Sequence, residues 1–434
     1  MNWSGAVRDR WDGAASLVRR AARLSPPEVA QRVAVRLYRR TGADVLAFPL
    51  LPGDVADSTA LELRLPATRP ARGTPLTIGW VTVPPSPGSG GHTTMLRMVQ
   101  ALEAAGHRCV LLLYDRHGGD LERHTRVVRQ GWGDVVAEVR DVADGFEGVD
   151  ACVATSWQTA HVLAARGSVP MRRLYFVQDY EPFFYPRGSE YALAEDTYRF
   201  GFRRIALGEM VAGLLAVLDG DRPDVVPFGC DLSVYGPTVH ETQRSGVVFY
   251  CKPDVARRGY TLGRLALEEF HRRHPEQEIH VYGEIVRKLS MPVTMHDRMT
   301  PAELNELYNR TIAGLALSFT NISLVAEEML AAGTIPVVND SAYARADLGS
   351  DFARWAVPTP GALAAALCAA VERDDRDAHA RAAAESVRGR SWEPAREQVV
   401  RILEDEVYGP EIAPGPDGEL SAPTVTAPPG IGTS

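Results

Sequence analysis

The sequence has few lysines, no paired cysteines and no long apolar run. Two of the 47 basic residues are lysines, Lys252 and Lys288, and the other 45 are arginines. No stretch of 18 or more apolar residues occurs, so no transmembrane helix is expected. The five cysteines form no CxxC pair, which argues against a disulfide framework or zinc site and predicts buried core thiols in a reducing cytosol. A net charge of −8 disfavours a nucleic-acid binder with a globally basic surface.

The chain has the size and composition of a soluble protein with two or three domains. It holds 434 residues, 45% hydrophobic and 24% charged. Residues 1–40 contain nine arginines and three acidic residues, a net of +6, so the remainder carries −14. Residues 1–45 alternate basic and apolar positions at helical spacing, which predicts an amphipathic appendage that either lies on an anionic membrane or packs on the main body. We expect a cytoplasmic protein without a secretory signal. The first of these two alternatives would make it peripheral at the inner face of the cell membrane.

Two stretches alternate apolar runs with helical patterns, which predicts two doubly wound parallel sheets. After a linker at 46–74, the first unit spans 75–230 and has strands at Leu76–Val83, Val110–Tyr114, Val149–Ala154, Leu174–Val177, Ile205–Leu207 and Val225–Phe228. After a second linker at 231–244, the second unit spans 245–390 and has strands at Val247–Tyr250, Ile279–Tyr282, Val293–Met295, Ala313–Leu317 and Ile335–Val338. A helix at 391–408 and a disordered Pro/Gly-rich tail at 409–434 follow. Ligands of such sheets lie beyond the carboxyl ends of the strands, in the cleft between domains.

The first strand end of interest is the turn Gly88–His92, which opens a helix. Its glycines allow close backbone approach, and N–H groups at a helix start attract phosphate. A rival interpretation is a dinucleotide fingerprint formed by Gly88, Gly90 and Asp115, but Thr93 occupies the third glycine position. A tight turn without a ligand is the remaining alternative.

The second is a basic loop after the first strand of the second unit, with cations at Lys252, Arg257 and Arg258. Three cations at one strand end suit a diphosphate, with a point charge from lysine and a planar fork from arginine. The alternative is a solvated basic loop.

The third is a polar turn that follows the strand ending near Ser318. A short helix is predicted from Leu324 to Ala332, so backbone N–H groups near Ser323 and Leu324 would point at an anion. Glu328 lies on this helix, where it is placed to accept hydrogen bonds from sugar hydroxyls.

These motifs together resemble glycosyltransferase family 4. The run Glu328–Val338 resembles its E-A-M-A-x-G-x-P-V-V stretch, and the basic loop resembles its G-R-L…K-G element, with Lys252 at the arginine and Arg258 or Arg257 at the lysine that hold the donor pyrophosphate. Val226–Asp231 resembles the P-N-G-V-D strand, and the segment from Met295 and His296 to Tyr308 resembles the loop and helix beside the nucleobase. The resemblance implies the GT-B fold, two Rossmann-like domains facing a cleft.

A closer resemblance is to rhamnosyltransferases of bacterial surface-polysaccharide and S-layer-glycan assembly. It rests on Gly90–Arg97, Phe176–Tyr191 and Thr320–Leu324, and the overall similarity spans residues 75–408. Family 4 often has a glutamate eight positions before Glu328, where this chain has Thr320. A 6-deoxy sugar presents fewer hydroxyls, which fits this less acidic pocket, and dTDP-rhamnose is the favoured donor.

The resemblance also implies roles for individual residues. Gln178 and Asp179 correspond to a pair near the transferred sugar, and Asp179 is our candidate for orienting the acceptor hydroxyl or accepting its proton. The acceptor side would involve Glu181, Glu190 and Tyr191, and the donor side Gly90, Gly91, His92, Lys252, Arg257, Arg258, His296, Thr320, Asn321, Ser323, Leu324 and Glu328. The cations would stabilise the leaving group, so we expect no metal or other cofactor, and Asp219-Gly-Asp221 is interpreted as a solvated turn rather than a metal motif.

The sequence therefore predicts a glycosyltransferase that moves a deoxyhexose from a nucleoside-diphosphate donor to a glycan or lipid-linked acceptor, with retention of configuration by family resemblance. Two alternatives stay open. One is a non-catalytic nucleotide-sugar-binding scaffold of glycan assembly, and the other is a nicotinamide-dependent oxidoreductase that uses Gly88, Gly90 and Asp115.

Overall fold

A computed structural model describes residues 48–86, 88–238, 243–286 and 289–409. The predicted N-terminal appendage (1–45) and almost all of the predicted tail (409–434) lie outside these residues. Contact clustering divides the chain at Val55, and the described residues before this boundary, 48–55, contain a short 3-10 helix at Pro52–Asp54. Within the described ranges, no helix is long and apolar enough to span a bilayer.

The first α/β domain is built on a seven-stranded parallel sheet of order β3-β2-β1-β4-β5-β6-β7. Short 3-10 helices lie at Val142–Asp144, Glu181–Phe184 and Thr197–Arg199. In chain order the strands and α-helices are β1 (Thr77–Thr82), α1 (Gly90–Ala104), β2 (Arg108–Leu113), α2 (Leu121–Gly131), β3 (Glu138–Asp141), β4 (Ala151–Ala154), α3 (Trp157–Arg166), β5 (Arg172–Val177), α4 (Ser189–Asp196), β6 (Arg203–Leu207), α5 (Glu209–Asp219) and β7 (Asp224–Val226).

The second domain repeats the scheme with a six-stranded parallel sheet of order β10-β9-β8-β11-β12-β13. A 3-10 helix at Ala256–Arg258 follows its first strand. The elements are β8 (Val247–Cys251), α6 (Tyr260–Arg273), β9 (Ile279–Gly283), β10 (Thr294–Met295), α7 (Pro301–Arg310), β11 (Ala313–Leu315), α8 (Leu324–Ala331), β12 (Ile335–Asn339), α9 (Ala342–Leu348), β13 (Arg354–Ala356), α10 (Pro360–Val371), α11 (Arg376–Ser386) and α12 (Glu393–Tyr408).

Each sheet is buried on both faces, which explains its apolar strands. In the first domain Trp80 of β1 and Phe176 of β5 are fully buried and meet edge to face at 6.3 Å. In the second, Phe249 of β8 packs with Phe270 of α6 in a separate core cluster. All five cysteines are buried and free, as the sequence predicted. The prediction of two doubly wound parallel sheets is confirmed.

The segment predicted as the first linker is tied to the first domain over residues 56–74. It contains no helix or strand there, but Arg69 Nη1 donates to the Glu406 carbonyl oxygen at 2.7 Å, and Arg72 pairs with Asp405 at 3.1 Å. Both partners belong to α12, which follows the second domain yet packs on α1 and β7 of the first. The last helix therefore returns to the first domain.

Helix α5 of the first domain is capped by a side chain of the second. Its N-cap residue is Gly208 (φ +85°), which offers no side-chain acceptor. The carboxylate of Asp347, on α9, accepts hydrogen bonds from the N–H groups of Glu209 and Met210, the latter at 3.0 Å. The first turn of α5 thus obtains its missing acceptors across the domain interface.

Candidate active site

The predicted catalytic pair and part of the predicted donor site meet where the carboxyl ends of the strands of the two sheets face each other. Gln178 and Asp179 follow the carboxyl end of β5, and Thr320 and Asn321 follow β11. Thr320 Oγ1 donates to Asp179 Oδ1 at 2.6 Å, and Asn321 Nδ2 donates to the Gln178 carbonyl oxygen at 3.2 Å. A backbone bond from Tyr180 N–H to the Thr320 carbonyl oxygen measures 3.2 Å. The predicted catalytic pair and the predicted donor loop are therefore in direct contact.

The glycine-rich turn before α1 is a capped helix start. Gly88 adopts φ +79°, a conformation that favours glycine. Ser89 is the N-cap, and its Oγ accepts from the His92 N–H at 3.4 Å and lies 2.9 Å from His92 Nδ1. Burial lowers the pKa of His92, so its imidazole is neutral at pH 7.

This turn faces the second domain across the cleft. Gln178 Nε2 donates to the Gly91 carbonyl oxygen at 3.1 Å, which ties the turn to the catalytic pair. A Cβ atom added to Gly90 would lie 3.9 Å from Leu324 Cδ1, at the start of α8. The small residues thus leave the turn close to the helix start that was predicted to hold an anion.

The basic loop reaches that same helix start. Arg258 Nη1 donates to Ser323 Oγ at 3.2 Å, and Ser323 is the N-cap residue of α8. The Ser323 side chain accepts no hydrogen bond from the first-turn amides of α8, so it does not compete with an anion for them. Burial lowers the pKa of Arg258, although a guanidinium stays charged at neutral pH. Lys252 Nζ lies 3.0 Å from Glu284 Oε1 and remains partly exposed.

Arg257 has a different position from its neighbour. Its guanidinium lies 4.6 Å from the centre of the Phe184 ring, a residue of the first domain. Its carbonyl oxygen accepts from the Phe319 N–H at 3.2 Å. Arg257 therefore contributes to the domain contact, and Arg258 is the better-placed cation for a phosphate at α8.

Glu328 lies on α8 in an environment of mixed charge. Burial raises the pKa of its carboxyl group to about 7, against the lowering effect of the Arg97 guanidinium. Arg97 itself forms an ion pair with Asp231 at 2.5 Å and lies 5.1 Å from the Trp392 ring centre. A residue of the first domain thus tunes the predicted ribose-binding carboxylate of the second.

Arg97 and Glu327 have no predicted role in the sequence motifs. Arg97 lies seven residues after Gly90, so the helical period places both on one face of α1, and this spacing is the signal that would have found it. Glu327 is almost fully buried and pairs with Arg390 at 2.8 Å. Burial raises the pKa of Glu327 to about 7, and no pattern around it marks this buried pairing in the sequence.

His296 follows β10, two strands away from β8, which corresponds to about 10 Å across the sheet. Its Nε2 atom lies 3.2 Å from Nδ1 of His280. Burial lowers the pKa of both imidazoles, and each also lies near a positive charge. His296 follows the carboxyl end of the short strand β10, whereas His280 lies near the amino end of β9. The predicted place of His296 beside the nucleobase stays a prediction.

The three predicted acceptor residues have different surroundings. Glu181 is buried, and its Oε2 accepts from the Trp157 N–H at 2.6 Å and from the Tyr175 hydroxyl. Burial raises the pKa of Glu181 to about 8. These two bonds hold the carboxylate inside the first domain, and its acceptor role stays a prediction. Glu190 and Tyr191 are half-buried on the first turn of α4, and their acceptor role stays a prediction.

The aspartates of the dinucleotide interpretation and of the Asp219-Gly-Asp221 turn both contact other groups of the first domain. Asp115 accepts hydrogen bonds from the N–H groups of His117 and Gly119 at 2.9 and 3.0 Å and thereby stabilises its own loop. These contacts give no support for binding of a dinucleotide ribose by Asp115. The Asp219-Gly-Asp221 turn is only partly solvated, because Asp219 pairs with the buried Arg204 at 2.8 Å. Among the described residues, no group of three or more histidine, cysteine, aspartate or glutamate side chains is arranged to hold a metal ion.

Two protein-family models, which describe two domains of one protein, match parts of the sequence. The WsaF C-terminal domain matches residues 245–368, and the WsaF N-terminal domain matches residues 145–209. The O-antigen biosynthesis protein RfbC of Myxococcus xanthus is 30% identical over 347 residues, which is 72% of this chain and 26% of RfbC. The chain therefore spans about a quarter of the length of this relative.

Solved structures with two such domains superpose on most of the chain. Sucrose-phosphate synthase from Thermosynechococcus elongatus has a TM-score of 0.58 at 13% identity, covering 76% of this chain and 98% of its own. HepE of Anabaena in complex with UDP has a TM-score of 0.59 at 12% identity, covering 76% and 100%. A mutant O-GlcNAc transferase from Thermobaculum terrenum has a TM-score of 0.54 at 13% identity, covering 89% and 75%. The chain has the GT-B fold. The cleft between the two domains contains the candidate-site residues of both domains.

Proposed function

We propose that this chain is a glycosyltransferase of polysaccharide biosynthesis, which moves a sugar from a nucleoside-diphosphate donor to a glycan or lipid-linked acceptor. The hydrogen bond from Thr320 to Asp179, 2.6 Å long, carries the proposal. It supports the proposal because a carboxylate of the first domain lies beside the polar turn that precedes α8, where a proton acceptor would be next to a bound diphosphate. The matches to WsaF and to the O-antigen protein RfbC support the polysaccharide class.

The donor would lie on the second domain. Its diphosphate would contact Arg258, Lys252 and the first turn of α8, where Ser323 already accepts from Arg258. Glu328 would accept hydrogen bonds from the ribose hydroxyls, and His296 would lie towards the base. The turn at Gly90, Gly91 and His92 would close over the donor from the first domain. HepE in complex with UDP shows that a protein of this fold binds a nucleoside diphosphate.

Charge explains how the reaction would proceed. Cleavage of the bond between sugar and diphosphate develops positive charge on the sugar and negative charge on the leaving group. Arg258 and the start of α8 would stabilise that negative charge, which supports transfer without a metal. Asp179, oriented by Thr320, would accept the proton of the attacking hydroxyl, and Gln178 would hold the glycine turn in place. Retention of configuration rests on the family resemblance.

The proposed sugar is rhamnose or another deoxyhexose, with dTDP-rhamnose as the favoured donor. Family 4 often has a glutamate at the position of Thr320, and here the threonine hydroxyl is directed at Asp179 instead. A neutral residue there removes one acceptor for sugar hydroxyls, which suits a sugar that has lost one. The acceptor would be presented at the inner face of the membrane, with the basic appendage at 1–45 as the contact.

A direct assay tests the function. Release of nucleoside diphosphate would be measured with dTDP-rhamnose and UDP-glucose, each with and without a lipid-linked glycan acceptor. We expect release that depends on acceptor and is faster with dTDP-rhamnose. Tight donor binding without release under any condition would favour a scaffold, and calorimetric binding of a nicotinamide cofactor without nucleoside-diphosphate binding would reject the transferase.

Donor binding should depend on pH through Glu328. Because burial raises the pKa of this carboxyl to about 7, it is largely ionised only above that pH. An ionised carboxylate accepts stronger hydrogen bonds from ribose hydroxyls, so donor affinity should rise as pH increases from 6 to 8. Calorimetry across this range would check it. In Glu328→Gln the rise should be absent and affinity lower at pH 8, and an unchanged profile in that variant would remove Glu328 from the donor site.

A further inference from the structure

One cation of the basic loop is paired with a carboxylate. Lys252 Nζ lies 3.0 Å from Glu284 Oε1, and the two side chains are 28% and 39% exposed. The other two cations have uncharged contact partners among the described residues, since Arg257 lies over an aromatic ring and Arg258 donates to a serine hydroxyl. Lys252 is therefore the loop cation whose charge a neighbouring acid already balances.

The sheet itself brings the two members of this ion pair together. Lys252 follows β8 and Glu284 follows β9, two adjacent parallel strands whose last residues, Cys251 and Gly283, are paired. The Glu284 N–H donates to the Cys251 carbonyl oxygen at 3.1 Å. Gly283 adopts φ +108°, and a Cβ atom there would lie 2.7 Å from the same oxygen, so this turn requires glycine. The backbone therefore fixes the base of the Glu284 side chain beside Lys252.

We propose that Glu284 makes the donor site prefer the nucleotide sugar to the free nucleoside diphosphate, which is the product of transfer. The inference rests on the proposed function, in which Lys252 contacts the donor diphosphate. At that position the lysine is shared between the diphosphate and Glu284, so each phosphate charge is attracted by the ammonium group and repelled by the carboxylate. The balance between these two effects depends on the charge of the ligand.

The two ligands differ in charge at the end that meets this pair. A terminal phosphate loses its second proton near pH 6, so at pH 7.5 a free nucleoside diphosphate carries about one more negative charge than its sugar ester. Repulsion by Glu284 is therefore stronger for the product than for the donor. Because both side chains are partly exposed, solvent and salt screen the interaction, and we expect factors of about three to ten in affinity. Weaker binding of the product favours its release after transfer.

Calorimetric titration of the full chain at pH 7.5 tests the proposal, with dTDP against dTDP-rhamnose and UDP against UDP-glucose. In Glu284→Gln the dissociation constant should fall about tenfold for the free diphosphate and about threefold for its sugar ester. Glu276→Gln is the matched control, because Glu276 forms an ion pair with His274 at 3.2 Å before the amino end of β9. That five-residue strand rises about 17 Å, so Glu276→Gln should bind all four ligands like wild type.

Lys252→Met separates the two contributions of Glu284. In this background Glu284→Gln releases no lysine, so the common gain in affinity for both ligands should be smaller than in wild type. The direct repulsion is still removed, so the additional gain for the free diphosphate should remain. Thermal unfolding of each variant confirms that it is folded.

Several outcomes would overturn the proposal. In Glu284→Gln, unchanged affinities or equal changes for diphosphate and sugar ester would show that Glu284 does not discriminate between them. Weaker binding of both ligands would instead make Glu284 a residue that positions Lys252. Binding needs no turnover, so a chain that binds as expected but releases no diphosphate with acceptor would contradict the transferase and leave the Glu284 assignment intact. Absence of binding of all four ligands to wild type would overturn both this proposal and the donor site on which it rests.

Discussion

Replacing Asp179 by asparagine is expected to lower turnover by about 10²–10⁴-fold, the usual contribution of a positioned proton acceptor. Asparagine keeps an oxygen that can accept from the Thr320 hydroxyl, now at 2.6 Å from Asp179, so the domain contact and donor affinity should be preserved. Single-turnover release of nucleoside diphosphate measures the loss, and calorimetry with donor measures binding.

Asp144→Asn is the matched control, because Asp144 is an exposed aspartate of the same domain on a short 3-10 helix. It should turn over like wild type. If Asp179→Asn retained wild-type turnover, Asp179 would not be the proton acceptor. A parallel loss of donor affinity would instead assign Asp179 a binding role.

Replacing Arg258 by methionine should lower kcat/KM by about 10²–10³-fold, as expected for the loss of one preorganised donor to a developing negative charge. Arg258 donates to Ser323 Oγ at the start of α8, where the leaving diphosphate would lie. The fold should survive, because burial already disfavours the Arg258 charge and a methionine of similar length restores apolar contacts. Steady-state kinetics and thermal unfolding would be measured together.

Arg257→Met is the matched control for Arg258→Met, because the two arginines are neighbours in the same loop. Arg257→Met keeps an apolar contact with the Phe184 ring, now 4.6 Å from the guanidinium, and should lower kcat/KM by less than about tenfold. Equal losses in the two variants would show that the loop acts as a general positive patch, against the specific assignment to Arg258.

The fold was predictable where the strands are buried on both faces. β1, β5 and β8 have continuous apolar runs, and the structure places them within about two residues of the predicted ends. The two missed strands lie at sheet edges. β3 is Glu-Val-Arg-Asp and β13 is Arg-Trp-Ala, and an edge strand with one neighbour needs no apolar run.

The candidate site was predictable at the level of strand ends, because topology alone brings the carboxyl ends of parallel strands together. Local sequence patterns contain no information about how one domain is placed against the other. The Thr320–Asp179 bond and the effect of Arg97 on Glu328 both depend on that placement. The inward position of Glu181 was missed for a different reason, since its partners Trp157 and Tyr175 come from separate elements of the domain.

The cap that Asp347 provides for α5 has a consequence for motion. Its carboxylate accepts from Glu209 and Met210, so separation of the two domains would leave these amides without their acceptor. Hydrogen exchange at those two amides is therefore a built-in reporter of cleft opening. For the same reason, the first domain expressed alone would begin this helix with open amides. Cutting the chain between the domains would thus shorten the helix as well as divide the site.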